Sequence, residues 1–188
     1  MAMFLTVSGS ASPDSCTERV LLTQIVPRLA GGGHEIRHLA VRDLPADALL
    51  HGDAGHPRLT ATAELLAAAD GVVVATPVYK ASYSGLLKTF LDVLPRRGLV
   101  GKAVLPLATG HMASHGTLLH EALRPVLRSM GAAAVVPGCF LTEQAARSLG
   151  APQYVGAREQ LDRGTALFLR LAAARLSRQQ AAGARSMA

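Results

Sequence analysis

Hydroxyl-bearing side chains are concentrated in one short segment near the amino terminus, residues 8–17, which reads SGSASPDSCT. It follows an apolar run and precedes apolar residues at helical spacing, so we expect a loop that opens onto a helix. Backbone N–H groups at a helix start, together with hydroxyl groups, can hold a phosphate dianion without Lys or Arg. The hydroxyls could instead simply cap the helix, because Ser15 and Thr17 are favoured capping types. The segment therefore predicts either a phosphate site or a helix cap.

A second polar segment, residues 76–84, separates a buried strand from a helix. Residues 72–75 are all apolar, as in a strand that is covered on both faces. We expect Thr76 and Pro77 to end this strand, because proline cannot donate to a sheet ladder, and a helix to begin near Ser84. In an open parallel sheet the loops at the carboxyl ends of the strands form the binding crevice. The segment is therefore predicted to line a ligand site.

Three other sets of side chains could carry chemistry. His111 and His115 stand four residues apart, but the sequence places no third ligand, and we predict no metal site. Cys16 could be a reactive thiol, although a small packing residue whose backbone binds is the stronger interpretation. Tyr79 and Tyr83 could donate protons or simply pack. Where a cofactor carries the reaction no protein acid or base is required, and we predict no catalytic residue.

Length and composition indicate one domain. The chain has 188 residues, of which 49% are hydrophobic, and we predict a single domain over residues 1–178 with a disordered tail over residues 179–188. Cys16 and Cys139 lie far apart and form no CxxC or Cys/His pairing, which favours a reducing, cytoplasmic location. The start of the chain does not have the pattern of a secretory signal, and no segment approaches the ~20 apolar residues of a membrane span.

The formal net charge is +6, which invites a nucleic-acid interpretation. Such a surface concentrates its charge together with aromatic or groove-entering elements. Here there is no Trp, and the sequence has only three Tyr and four Phe. We therefore interpret the charge as a solvated basic face and predict no nucleic-acid partner.

Apolar runs and helical periodicities alternate along the chain. Five strands alternating with helices indicate a doubly wound α/β sandwich, and right-handed crossovers limit the topology to a few choices. Pro125 should distort its helix by a kink or a π-bulge, because it lacks an N–H and clashes with the preceding turn. Strands are predicted at 3–8, 35–40, 72–75, 103–108 and 132–140; helices from Ser15 or Thr17 to the glycines at 31–33, over 60–69, from Ser84 onward, over 118–130 and over 157–178; loops at 42–59 and 144–156.

The loops after the first and third strands carry a family resemblance. No GxGxxG follows the first strand, so a Rossmann dinucleotide fingerprint is absent. The motifs GSxxxxSxT and TPVYKASYSGLLKTFLD, followed by GKAVLPLATG and EALRPVL, resemble the flavodoxin-like NADPH-dependent FMN reductases, in particular the reductase partners of two-component alkanesulfonate monooxygenases. The resemblance covers the chain up to about residue 140. It implies a flavodoxin-like three-layer α/β/α sandwich with a five-stranded parallel sheet of order 2-1-3-4-5.

Carried over by position, the resemblance implies three groups of flavin-binding residues. Ser10, Ser15, Cys16 and Thr17 would surround the FMN phosphate; Pro77, Val78 and Tyr79 would lie beside the ribityl chain and ring; Thr109, Gly110 and His111 would face the polar edge of the isoalloxazine. The wider family often has Arg at the position of Ser12, Asn at that of Thr17 and Gly at that of His111. Close relatives carry an inserted aromatic residue where this chain has His120 and Glu121.

The resemblance implies hydride transfer from NADPH to FMN, with reduced flavin supplied to a partner sulfonate monooxygenase. Two alternatives stay open: an azo- or quinone reductase with tightly bound FMN, and a non-enzymatic flavodoxin-like electron carrier. Flavodoxins are typically acidic, which disfavours the carrier, and the absence of Trp favours a loosely held flavin. The sequence does not decide between NADPH and NADH.

The helix beginning near Ser84 has more apolar positions than one buried stripe requires: Leu86, Leu87, Phe90, Leu91, Val93 and Leu94. A second subunit would cover the excess. We therefore expect a homodimer at least, and the resemblance implies a homotetramer.

Overall fold

The structure is a computed structural model, and it describes residues 1–117 and 119–186. A central sheet carries five parallel segments in the order β2-β1-β3-β5-β6. A short strand, β4, pairs antiparallel with β3, and β7 pairs parallel with β5. The strands are β1 (Met3–Ser8), β2 (Glu35–Ala40), β3 (Gly71–Tyr79), β4 (Ser82–Tyr83), β5 (Ala103–Gly110), β6 (Ala134–Val135) and β7 (Cys139–Thr142).

Helices cover both faces of this sheet. The helices are α1 (Cys16–Val20), α2 (Val26–Ala30), α3 (Ala46–His51), α4 (Pro57–Ala68), α5 (Gly85–Val93), α6 (Arg124–Ser129), α7 (Glu143–Arg147) and α8 (Val155–Ser186). Val72 and Val74 of β3 pack in one core with α3 to α6, and Val73 and Ala75 pack in the other with α1, α2, α7 and α8. Successive strand residues point to opposite faces, so a strand buried on both is uniformly apolar. The predicted three-layer sandwich is confirmed, and the five strands along the main path follow the predicted order; the sheet has seven strands instead of five, because β4 and β7 are added to it.

The third strand does not end at Thr76 and Pro77, as the sequence predicts, but continues to Tyr79. Gly9 N donates to Ala75 O, so the backbone N–H and C=O of residue 75 point toward β1. The hydrogen-bonding groups of a strand alternate in direction, so the backbone nitrogen of residue 77 points to the same side. There β1 has already ended at Ser8. The absent N–H of Pro77 therefore costs the sheet no hydrogen bond, while the strand keeps its pairing with β5 on the other side.

The loop predicted over 42–59 contains a 3₁₀ turn and two helical segments. Pro45 precedes α3, and Gly52 ends it in the left-handed conformation, with φ of 67°. Pro57 is the first residue of α4, which begins before the predicted position 60. These prolines and the glycine mark helix boundaries, where proline at N1 and glycine after the C-terminus are favoured.

The fifth predicted strand is divided. β6 and β7 are separated by residues 136–138, where Pro137 cannot donate to a ladder. Part of the loop predicted over 144–156 is also helical, because Thr142 caps α7 by accepting a hydrogen bond from Ala145 N at 3.2 Å.

Two helices contain a π-helical turn, and each turn ends two residues before a proline. Leu119–Leu123 precedes Pro125 in α6, which confirms the predicted irregularity; Leu118 lies outside the described residues. Leu21–Ile25 precedes Pro27 in the same way, so α1, this turn and α2 form one continuous helix. The wider π turn provides room for a ring that clashes with the carbonyl four residues earlier.

The last helix starts before the predicted residue 157 and runs to Ser186, past the predicted end at 178. Residues 187 and 188 lie outside the described part of the chain. The single domain over 1–178 and the disorder of 179–188 stay predictions. Within the described residues, no helix combines the length and the apolar character that crossing a membrane requires.

Candidate functional site

The predicted site residues gather at the carboxyl end of the sheet, where the loops after β1 and β3 are joined. Ser84 Oγ donates to Gly9 O at 2.6 Å and accepts from Leu87 N at 3.1 Å. Thr76 Oγ1 accepts from Ser84 N at 3.0 Å. A Cβ at Gly9 would lie 2.7 Å from Leu87 Cβ, so only glycine allows this approach. Ser84 therefore fixes one loop against the other.

The loop after β1 presents hydrogen-bond donors at the start of a long helix. Ser10 is fully buried, and its hydroxyl bonds the backbone of Ser12. Ser15 caps the helix by accepting from Glu18 N at 3.1 Å. Among residues 1–117 and 119–186, the N–H groups of Cys16 and Thr17 have no acceptor. First-turn amides with a positive helix dipole are the donor set that a phosphate dianion requires, and the loop fits that group.

A buried hydrogen bond joins the helix start to β5. Thr17 Oγ1 and Thr109 Oγ1 are 2.7 Å apart, and both residues are almost completely buried. Thr17 is therefore held against β5, while the Ser15 hydroxyl accepts from Glu18 N and keeps its own O–H free to donate to a ligand. Cys16 is also buried, with its Sγ 3.9 Å from Glu143 O.

The hairpin between β3 and β4 forms the second wall. Pro77 and Val78 are buried, whereas Tyr79 is 54% exposed. The turn residues Lys80 and Ala81 have φ of 49° and 58°, which matches a two-residue hairpin turn but is strained for residues other than glycine. The hairpin thus holds an aromatic ring at the edge of the crevice.

The end of β5 forms the third wall. Thr109 lies opposite Pro77 in the sheet register. A Cβ at Gly110 would meet Val78 Cβ at 3.2 Å and His115 Nδ1 at 3.1 Å, so a larger residue would need these neighbours to move by a few tenths of an ångström where strand, hairpin and following segment converge. The side chain of His111 is 77% exposed, and its Nε2 lies 3.5 Å from Glu143 Oε1. The structure therefore brings all three predicted groups to one edge, with His111 at the rim.

The candidate proton donors have different surroundings. Tyr83 is half-buried and packs against the core, and burial raises the pKa of its phenol. It is therefore a weak acid at neutral pH. Tyr79 is exposed and free to stack on a ligand.

Sequence reasoning missed a charged cluster beside the loop. Glu18 Oε2 accepts from Arg42 Nη1 at 3.0 Å, and Glu18 Oε1 lies 2.9 Å from His38 Nε2. Burial alone would raise the pKa of Glu18, but the hydrogen bond from Arg42, the nearby Ser8 hydroxyl and the charges of His38 and Arg42 bring it below its ordinary value. Ser8 Oγ lies beside this carboxylate without normal hydrogen-bond geometry. These residues come from separate elements, and no sequence spacing relates them.

A family model described as NADPH-dependent FMN reductase matches residues 3–147. The chain belongs to this family. The match runs from β1 to the end of α7 and contains every residue of the site described above. The family and fold expected from the motifs are thus confirmed.

Curated and solved relatives agree with this family. An FMN reductase (NADPH) of Pseudomonas putida is 43% identical over 138 residues, covering 73% of this chain and 70% of that protein. An FMN reductase (NADPH) of Escherichia coli K12 is 42% identical over 136 residues, covering 72% and 71%. The crystal structure of an NADH:FMN oxidoreductase in its apo form has a TM-score of 0.80 and 39% identity, covering 89% of this chain and 90% of that one.

Proposed function

We propose that this protein is an FMN reductase that uses NADPH and releases its reduced flavin. The observation that carries the proposal is a pair of backbone amides, Cys16 and Thr17, that have no partner among the described residues and lie at the start of a helix in the matched region. They form a phosphate-sized donor set at the carboxyl edge of a doubly wound sheet, where such folds bind ligands.

Each group of site residues would contact a different part of the flavin. When bound, FMN accepts hydride from NADPH. The amides of Cys16 and Thr17 would hold the phosphate, Tyr79 would lie against the ring, and the buried Thr109 and Gly110 would exclude water from its polar edge. Positioning of this kind supplies rate without a protein acid or base.

We propose that the flavin is exchanged rather than kept. The sequence has no Trp to stack on a ring, and the aromatic side chain of the second wall, Tyr79, is exposed. An exchanged flavin suits delivery to a flavin-dependent sulfonate monooxygenase. The test of that partner is whether such a monooxygenase turns over when it receives this protein, NADPH and FMN.

One steady-state experiment tests the reaction and its two alternatives. Anaerobic NADPH oxidation is measured while free FMN is varied at fixed NADPH, with NADH as a parallel donor. We expect saturable dependence on added FMN and loss of yellow colour on dialysis. A stoichiometric yellow protein that reduces quinones or azo dyes without added FMN would favour a prosthetic flavin, and a flavin protein that leaves NADPH unoxidised would favour an electron carrier.

We infer a homodimer or homotetramer, and the surface that supports it is an apolar groove between α3 and α5. Leu50 is 72% exposed in this groove. Leu91, by contrast, is 6% exposed and packs in the core, so Leu91→Arg would disrupt the fold instead of reporting on assembly. The groove is lined by Ala46, Leu49, Leu50, Gly85, Leu86 and Thr89.

Light scattering of Leu50→Glu tests this assembly. We expect a shift toward monomer with an unchanged circular dichroism spectrum, and Val155→Glu, at a 50% exposed position at the start of α8, is the control. A wild-type monomer at micromolar concentration would contradict the oligomer.

Cys16 and Cys139 are both free and buried, which supports the proposed cytoplasmic location.

A further inference from the structure

The cluster of Arg42, Glu18 and His38 lies where β1 and β2 end, next to the loop that opens the site. Glu18 is 4% exposed at its side chain, and Arg42 binds it through Nη1 at 3.0 Å and Nη2 at 3.5 Å. His38 Nδ1 lies 3.0 Å from Thr6 Oγ1. His38 Nε2 in turn contacts Glu18 at 2.9 Å. Arg42 is the permanent cation that compensates the buried carboxylate.

The cluster is joined directly to the loop. Glu18 is the residue whose N–H donates to the capping Ser15, so its carboxylate belongs to the first turn of the helix that offers its amides to a ligand. The hydrogen bond to Glu18 is the main cause of the raised pKa of the Arg42 guanidinium, and the charges of Asp43 and of Asp14, within the loop, add to it. Two carboxylates, Asp14 and Glu18, therefore border the place where a phosphate would lie.

This charge arrangement poses an electrostatic problem for an anionic ligand. Residues 8–17 contain no Lys or Arg. A dianion held by amides alone would be repelled by Asp14 and Glu18, since charges near a protein surface interact strongly at short range. Arg42 faces both carboxylates and keeps 19% of its side chain exposed. Its Nε also lies 3.8 Å from Asp43 Oδ1, and the fork of five N–H donors is not used up by Glu18 and Asp43 together.

Given the proposed function, on which this inference rests, we propose that Arg42 is a specificity-determining residue that makes the site select phosphorylated flavin, FMN, over riboflavin. Its guanidinium, oriented by Glu18, offsets the negative charge around the loop. Without it the amides of Cys16 and Thr17 still donate, but the charge that favours a dianion over a neutral hydroxyl is lost. Glu18 is then a positioning residue for Arg42.

The test measures the dissociation constants of FMN and of riboflavin for apo-protein by calorimetry. Arg42→Met alone would leave Glu18 buried and unpaired, so the decisive comparison is made within a Glu18→Gln background, which removes that charge. We expect Arg42→Met in this background to raise the dissociation constant of FMN by about tenfold or more, while the dissociation constant of riboflavin stays constant. The salt dependence of FMN binding should decrease as well. Arg42→Lys is the charge-conserving control and should retain most of the preference for FMN.

The possible failures are distinguishable. If the affinities for FMN and for riboflavin fall by the same factor, or if neither affinity changes, Arg42 has only a structural role. The inference is then wrong, while the proposed function stands. If wild-type protein binds FMN no better than riboflavin, the phosphate site itself is wrong, and the inference falls with it. A circular dichroism melt of each variant confirms that the compared proteins are folded.

Discussion

The two ends of the sheet differ in whether their hydrogen-bond donors have partners within the protein. At the carboxyl end, the amides of Cys16 and Thr17 are left without partners among the described residues. At the amino end, Lys102 is 7% exposed and its Nζ donates to Ala67 O at 2.8 Å and Ala69 O at 2.6 Å. The carboxyl end keeps hydrogen-bond donors available for a ligand, while the amino end uses its donor in hydrogen bonds that hold the chain together. The difference separates the part of the fold that binds from the part that stabilises.

Helix direction explains the difference. In a doubly wound sheet the helices start at the carboxyl end of the strands and finish at the amino end. Helix starts carry partial positive charge and helix ends partial negative charge. A negative ligand is therefore favoured beside α1, and a buried ammonium, Lys102, is favoured at the end of α4. Burial lowers the pKa of Lys102, and Asp70 partly opposes this.

The largest effect is expected from a carboxylate at the binding end. Ser15→Asp should keep the helix, because Asp is as good a cap as Ser, but should place a negative charge beside the phosphate. Such a pair costs on the order of 4 kcal/mol at about 4 Å near a surface, so FMN affinity should fall roughly a hundredfold or more. Calorimetry with FMN measures it.

Ser15→Asn is the matched control, since it caps equally well and adds no charge. It should bind FMN within a few-fold of wild type. Unchanged affinity in a folded Ser15→Asp protein would remove the loop from the site. Ser10→Asp is a poorer probe, because Ser10 is fully buried and a carboxylate there would also destabilise the fold.

The opposite result is expected at the amino end. Lys102→Met should lower the free energy of unfolding by about 2–3 kcal/mol, because two buried carbonyls at the end of α4 lose their donor. FMN affinity of the folded protein should not change. Urea unfolding and calorimetry on the same preparation measure the two quantities.

Lys88→Met is the control for Lys102→Met. Lys88 is 46% exposed and pairs with Asp92 at 2.6 Å within one helix, and such a pair contributes at most about 0.5 kcal/mol. If both variants cost the same, Lys102 does not have the stabilising role that its contacts indicate. If Lys102→Met weakens FMN instead, the two ends are not independent.

Sequence reasoning succeeded where local chemistry decides the structure. The apolar run Val72–Ala75 predicted a strand buried on both faces, and Pro125 predicted a helix irregularity. Pro27 carries the same signal as Pro125, and its π turn could have been predicted by the same argument. The glycines and prolines between 42 and 59 predict a loop, although the same residues also mark the ends of short helices.

The parts that sequence could not provide depend on contacts between distant residues. Pro77 was expected to end β3, and only the position at which β1 stops explains why it does not. The bond between Thr17 and Thr109, and the approach of Arg42 to Glu18, join elements that no periodicity relates. Motifs predicted which loops form the site, while the partners that orient those loops required the fold.

A smaller effect is expected from the bond that joins the helix start to β5. Thr17→Val should lower the free energy of unfolding by about 1–2 kcal/mol, because the hydroxyl of Thr109 is left buried and unpaired. FMN affinity should fall several-fold as the amides lose their alignment. Thr17→Ser keeps the hydroxyl and is the control.

The double variant Thr17→Val with Thr109→Val separates the bond from its surroundings. The double variant should lose less stability than the sum of the two single variants, because no hydroxyl is left buried and unpaired. The difference is the coupling energy of the bond. Strict additivity of the two single effects would mean that the bond does not couple the helix start to β5.

The smallest effect concerns the buried centre between the two ends, where Cys139 lies opposite Leu107. Burial raises the pKa of its thiol from 9.0 to about 12. The folded state therefore favours the neutral thiol, so stability is complete below pH 9 and decreases as pH rises toward 12. At pH 10 the loss is about 1.4 kcal/mol. Urea unfolding at pH 8, 9 and 10 should show a steeper decline for wild type than for Cys139→Ala, while both proteins lose stability from groups they share. Equal slopes of unfolding free energy against pH for wild type and Cys139→Ala would show that burial does not protect the thiol. Water would then reach the centre of the sheet as well as its binding end.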